Sequence, residues 1–307
     1  MSAGRRHDRQ ANNAPDKARR DFREETNMDF RTISAVVADK TTDAKALAVA
    51  TAMARRHRAA LNIFCIGVDQ MQFEPMSAGS TSLLVTPGPT DAVARAEELE
   101  AWVHTVVDFH VPEISVERVI LPHIGLETGV GQLVRFSDLV IVSRPYGTEI
   151  DSLQSDVLCS ALYSGGAPAL VVAPNMISAL QASTVMIAWD ESDACLSAVR
   201  KALPFLRTAS SVQIVMVEPP FARNPETGSA LRLSEMLSRH RVESEVRIVP
   251  RTLPRISECL SRYMAENKCD LVVMGGHQPQ ARFRDVLLGG PTRDMLELTT
   301  TPLFMAS

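Results

Sequence analysis

The residues best suited to chemistry are two glycine pairs, Gly275-Gly276 and Gly289-Gly290, separated by the run from His277 to Leu288. Without a Cβ the backbone can adopt positive φ and come close to a phosphate. Gly289 and Gly290 precede a short expected helix, whose free N–H groups and dipole favour an anion. Two earlier positions could join them. Asp190 follows the apolar run Thr184–Ala188, and Val217 ends the run Val212–Val217. An acid at Asp190 can accept hydrogen bonds from an adenine amino group or a ribose hydroxyl. A purely structural reading fits the same residues: Gly275 and Gly276 would permit a tight turn, and Asp190 would cap the next helix.

Other chemistries find no support. No GxxxxGK[ST] phosphate loop, HExxH metal motif or GxSxG nucleophile elbow occurs. Gly129-Val130-Gly131 hints at a dinucleotide loop, but Val134 stands where the third glycine belongs. His277 has no sequence neighbour that marks it as a general base and reads as a loop residue. No catalytic residue and no metal site are therefore expected. The five cysteines (Cys65, Cys159, Cys195, Cys259, Cys269) lie mostly in apolar surroundings and form no CxxC pair, which predicts buried reduced thiols.

The elements that must position these residues recur twice. TISAVV at Thr32–Val37 is followed by Ala38-Asp39, by helix caps expected at Thr42 and Asp43, and by Leu47, Ala50 and Ala54 at helical spacing. Leu61–Val68 reads as the next strand. Thr184–Ala188, Trp189-Asp190, caps at Ser192 or Asp193 and the stripe Cys195, Ala198, Val199, Ala202 and Leu206 repeat that order, with Pro204 expected to bend or shorten the helix. Ser137–Val142 matches Cys269–Met274, and Ala167–Val172 matches Thr301–Ala306. Short strands apolar on both faces, alternating with helices, imply α/β units with parallel sheets and right-handed crossovers. The expected layout is a disordered leader over 1–29, a first domain over 30–176 and a second over 181–307. Residues 69–89 have no clear period, and a surface flap, a dimer contact or disorder are all open there. A helix from about Asp91 to His110 should bury Ala96, Leu99, Val103 and Val106.

The chain has 307 residues, 45% of them hydrophobic, a net charge of −4 and only 5% aromatics, which argues against nucleic acid as a partner. No apolar run reaches the length of a membrane span and the leader lacks a secretory core, so a cytoplasmic location is expected.

Placed in order, the acid after strand one and the glycine pattern after strand four resemble the universal stress protein family. Asp190, Val217, Gly275, Gly289, Gly290 and Thr292 match it, and the run Arg282–Gly290 is especially similar. The resemblance covers nearly all of the chain past Met28. It implies two doubly wound domains, each a five-stranded parallel sheet of order 3-2-1-4-5. It further implies an adenine nucleotide, ATP or AMP, with Mg2+ accompanying ATP. The base would lie near Asp190 and Val217, and the phosphates on Gly275, Gln278, Gly289, Gly290 and Thr292. Gln278 stands where the family has its second glycine, the spacer is one residue longer, and Pro291 removes an N–H. These departures imply weaker ATP binding or a preference for AMP, with Arg282 and Arg284 either reaching phosphates or simply solvated. In the first copy Ser143-Arg144-Pro145-Tyr146 replaces the glycines and Asp156 would repel a phosphate, so that copy is expected to be structural. The implied function is a stress-response sensor rather than an enzyme, with slow ATP hydrolysis left open. The alternative is a protein-interaction scaffold without ligand, its protein partners unspecified. Pairing of Ala169–Ala173 with Leu303–Ala306 would make an intramolecular domain pair, and a homodimer is the further option. A third reading, a nucleotide-dependent redox enzyme, lacks its fingerprint.

Overall fold

The short β-branched runs become strands because their side chains can be buried on both faces of a sheet. The computed structural model describes residues 30–69, 89–107, 113–145, 152–173, 176, 180–218, 227–276 and 290–307. The first copy contributes β1 (Thr32–Val37), β2 (Ala60–Asp69), β3 (Glu113–Pro122), β4 (Leu139–Val142) and β5 (Ala169–Val171). The second contributes β6 (Thr184–Ala188), β7 (Ser211–Glu218), β8 (Glu245–Pro250), β9 (Leu271–Gly275) and β10 (Leu303–Ala306). The strands form one ten-stranded sheet in the order β3-β2-β1-β4-β5-β10-β9-β6-β7-β8. Each copy thus has the order 3-2-1-4-5 with parallel neighbours.

The two sheets meet at the antiparallel pair β5–β10, with Val171 opposite Leu303, Leu170 opposite Phe304 and Ala169 opposite Met305. The proposed strand partners therefore do pair within one chain, although the contact covers fewer residues than the sequence runs offered. All side chains of β4, β5, β9 and β10 are buried. The outermost strands β3 and β8 are largely half-buried to exposed and carry Glu117, Arg118, Glu245 and Arg247, charges that blunt an open edge.

Helices cover both faces. They are α1 (Lys40–His57), α2 (Pro89–Val106), α3 (Leu126–Val134), α4 (Ser152–Cys159), α5 (Asp193–Lys201), α6 (Leu203–Leu206), α7 (Gly228–Arg239), α8 (Ile256–Asn267) and α9 (Gly290–Leu298). A π-turn, Ser160–Ser164, extends α4, with the Gly165 amide donating to the Ser160 carbonyl at 2.8 Å. Each of the two buried clusters, one per sheet face, draws residues from both copies. Phe30 of the first copy packs against His57 and against Phe205, and Phe205 against Phe304, at ring separations of 5.2–5.8 Å.

Two local expectations change. The cap of α1 is Asp39, not Thr42 or Asp43: its carboxylate accepts from the Thr41 and Thr42 amides, both at 2.9 Å. In α2 the buried stripe is Ala92, Ala96, Leu99 and Val103, continued by Val107, whereas Val106 is 53% exposed. The stripe advances by four residues where the sequence reading advanced by three. Pro204 interrupts the second-copy helix as expected, dividing it into α5 and α6 at Ala202. All five cysteines are buried and free. Burial pushes the Cys65, Cys159 and Cys195 thiols up to about 12, and Cys269 up to about 11. Among the described residues no helix is long and apolar enough to cross a membrane. The expected leader, His110 and nearly all of the 69–89 segment lie outside the described residues.

Candidate functional site

Adjacency in the sheet decides what can meet at its carboxyl edge. β6 lies between β7 and β9, with Ala188 opposite Val215 and Ile187 opposite Val273. Three sequence-predicted residues, Asp190, Val217 and Gly275, therefore emerge side by side beyond the strands, the usual place for a ligand in an open α/β sheet.

Asp190 is exposed, and its Oδ1 accepts from the Ser192 amide at 3.0 Å and the Ser192 hydroxyl at 2.6 Å. Ser192 is the cap of α5, accepting from the Cys195 amide at 3.0 Å. Asp190 thus orients the cap instead of being the cap. Between them Glu191 adopts φ 65°, a left-handed conformation uncommon for a residue with a side chain. The sequence reading missed what holds this turn. The Trp189 indole donates to Ser229 Oγ at 3.1 Å, and Ser229 in turn donates to Glu191. Ser229 begins α7, far away in sequence, so no local signal marks it. The Trp189-Asp190 pair itself was the visible part. Val217 is half-buried at the end of β7.

Gly275 and Gly276 are needed for closeness, not for positive φ. A Cβ on Gly275 would stand 2.7 Å from the Cys195 nitrogen and 3.1 Å from the Ala194 carbonyl carbon, so β9 touches the backbone of α5 directly. A Cβ on Gly276 would stand 3.0 Å from Leu162 Cδ1, and the Gly276 amide donates to the Ala306 carbonyl at 2.8 Å. The positive φ falls on Gly290, at 50°, where α9 begins. Thr292 is buried in the first turn of α9. Asp294 ties that turn to α8, accepting from Ser257 Oγ at 3.2 Å with Arg255 at 3.6 Å. Gln278 and Gly289, like Arg282 and Arg284, lie outside the described residues.

At the corresponding edge of the first copy a polar network around Asp43 stands beside an open hollow lined by Asp39, Lys40, Arg95 and Glu98. Ser143 takes the position of Gly275, and its hydroxyl meets Asp43 Oδ1 at 2.7 Å and the Thr42 carbonyl at 3.1 Å. Asp43 is buried, and its Oδ2 accepts from the Ala38 and Asp39 amides at 2.8 and 3.0 Å and from Gln154 Nε2 at 3.2 Å. Burial raises the Asp43 pKa, opposed by these hydrogen bonds. Asp39 is shifted the other way, held low chiefly by the Thr42 amide. Lys40 pairs with Glu98 at 2.5 Å, and Arg95 donates to the Ala38 carbonyl through Nε and Nη2 at 3.3 and 3.2 Å. Bare backbone in one copy is thus matched by a closed polar network in the other. Asp43, Ser143 and Gln154 are bonded to one another in the first copy, whereas Gly275 and Gly276 in the second copy let β9 pack against α5 and Leu162.

No family model matches the chain, and no curated protein matches it. Among solved structures it resembles a universal stress protein from Archaeoglobus fulgidus DSM 4304, with a TM-score of 0.65 and 14% identity over 89% of this chain and 96% of that one. A protein from Pseudomonas aeruginosa UCBPP-PA14 described as a universal stress protein gives 0.51 and 11% identity, covering 90% of this chain and 93% of that one. The chain therefore has the tandem fold of these proteins along nearly its whole length.

Proposed function

We propose that this chain is a tandem universal stress protein whose second copy, residues 181–307, binds an adenine nucleotide, and whose first copy, residues 30–176, has become structural. One observation carries the reading. At the second copy's strand ends the exposed Asp190 carboxylate stands beside Gly275, whereas at the equivalent place in the first copy Ser143 and Gln154 both bond to Asp43. Asp190 and Val217 would hold base and ribose. Gln278, Gly289 and the start of α9 at Gly290, with Thr292 behind them, would receive the phosphates next to Gly275. ATP would bring Mg2+ with it, and AMP would need none. Pro291 at the second position of α9 withholds one N–H from the anion, which favours the smaller phosphate charge of AMP. The proposed role is that of a cytoplasmic sensor rather than a rapid enzyme. Titration calorimetry with ATP, ADP and AMP tests the reading: saturable heat, lost in Asp190→Ala, is expected. Absence of heat at millimolar nucleotide overturns it.

A second reading, an interaction scaffold without ligand, is favoured by the β5–β10 pair, which consumes the inner edges of both sheets within one chain. Elution at one-chain mass, with no nucleotide released on denaturing the purified protein, would select it.

A further inference from the structure

The first copy has lost its own glycine turn, and the residue that replaced it reaches into the second copy. Arg144 occupies the position of Gly276 in the aligned strands. Its side chain crosses the β5–β10 joint to the last turn of α9, where Nε donates to the Leu296 carbonyl at 2.6 Å and Nη2 donates to the Glu297 carbonyl. Carbonyls in the last turn of a helix have no partner within it, and a cation there also opposes the negative end of the dipole. The forked guanidinium meets both needs at once. The opposite anchor also bears on the first copy. Gly276 rests against Leu162, with the Tyr163 hydroxyl 3.8 Å from where its Cβ would be, and Ser307 Oγ donates to the Leu162 carbonyl at 2.5 Å. Leu162 and Tyr163 belong to the π-turn Ser160–Ser164, which widens the end of α4 at this place.

We infer that the first copy is the positioning partner of the second copy's ligand edge: Arg144 fixes α9 from its tail, and the π-turn fixes the backbone at Gly276. This rests on the reading of that edge as a ligand site. α9 is a rod of about 13 Å at about 1.5 Å per residue, so a brace at Leu296 and Glu297 sets where Gly290 stands. Arg144 is a positioning residue that touches no ligand.

Amide hydrogen exchange of the ligand-free full chain reads the brace independently of any nucleotide. In Arg144→Ala the amides of Met295–Thr299 should exchange about tenfold faster or more, since a charged hydrogen bond is worth at least one power of ten in a local opening constant. Affinity for AMP should fall by a similar factor, and Arg144→Lys should recover part of both. Lys201→Ala is the control. It removes a different bond between the copies, from Lys201 Nζ to the Gly166 carbonyl at 2.8 Å, and should leave α9 exchange unchanged. Unchanged α9 exchange in Arg144→Ala overturns the inference, as does equal acceleration by Lys201→Ala. Faster α9 exchange in a protein that binds no AMP upholds the brace and removes only the nucleotide reading.

Discussion

Asp43 shows how far one residue's role can lie from its sequence context. Ser143 has a single hydroxyl proton but stands within hydrogen-bond distance of both Asp43 Oδ1 and the Thr42 carbonyl. The shorter contact is the donation to Oδ1, and Oδ2 accepts from three N–H groups. Burial raises the Asp43 pKa, opposed by these hydrogen bonds. The raised folded-state value means that the stabilisation is complete below the ordinary carboxylate pKa and is lost as pH rises through the folded value. Asp43→Asn removes the charge that burial penalises. Its melting temperature should gain on the wild type as pH climbs through that range, and the gap should close in acid. Asp43→Leu leaves the Ala38 and Asp39 amides unpaired and should cost about 2–4 kcal/mol in urea unfolding. A sequence shows Asp43 only as a polar residue near a helix start, because Ser143 and Gln154 are about a hundred residues away. Ser192, by contrast, is legible, since its partner Cys195 is local.

Helix α5 connects local capping to the candidate site. Ser192 caps it and Asp190 holds Ser192, so removing the cap hydroxyl should destabilise the protein and take away one of the hydrogen bonds to Asp190. Ser192→Ala should lower stability by about 1 kcal/mol, measured by chemical unfolding. Its effect on nucleotide heat should be smaller than that of Asp190→Ala, because the carboxylate itself remains. Strand and helix order was readable from hydrophobic period, and so was the break at Pro204. The cap at Asp39 and the exposed Val106 were not, since the start of α1 and the one-residue step from Val106 to Val107 in the α2 stripe are set by what packs against them. The function of Gly275 was legible only in part. Its need for bare backbone showed in the sequence, but the reason, contact with Ala194 and the Cys195 nitrogen, required the neighbouring helix.

The joint at β5–β10 and the Phe30–His57–Phe205–Phe304 cluster make the two copies share their cores. Cooperative unfolding of the whole chain should follow. The two tryptophans, Trp102 in α2 and Trp189 beyond β6, report one copy each. Urea transitions of Trp102→Phe and Trp189→Phe, each shifted by its own stability change, should give slopes proportional to the entire buried surface. Slopes of half that size would mean that the copies unfold separately. The pairing of β5 with β10 has a geometric result of its own. Because it is antiparallel, one copy is turned end over end relative to the other, and their strand tips point to opposite poles. The polar network around Asp43 and the exposed Asp190 carboxylate therefore lie at opposite ends of the body. Under the proposed reading, whatever senses bound nucleotide would approach from the Asp190 side, and each chain would deliver a single signal rather than two.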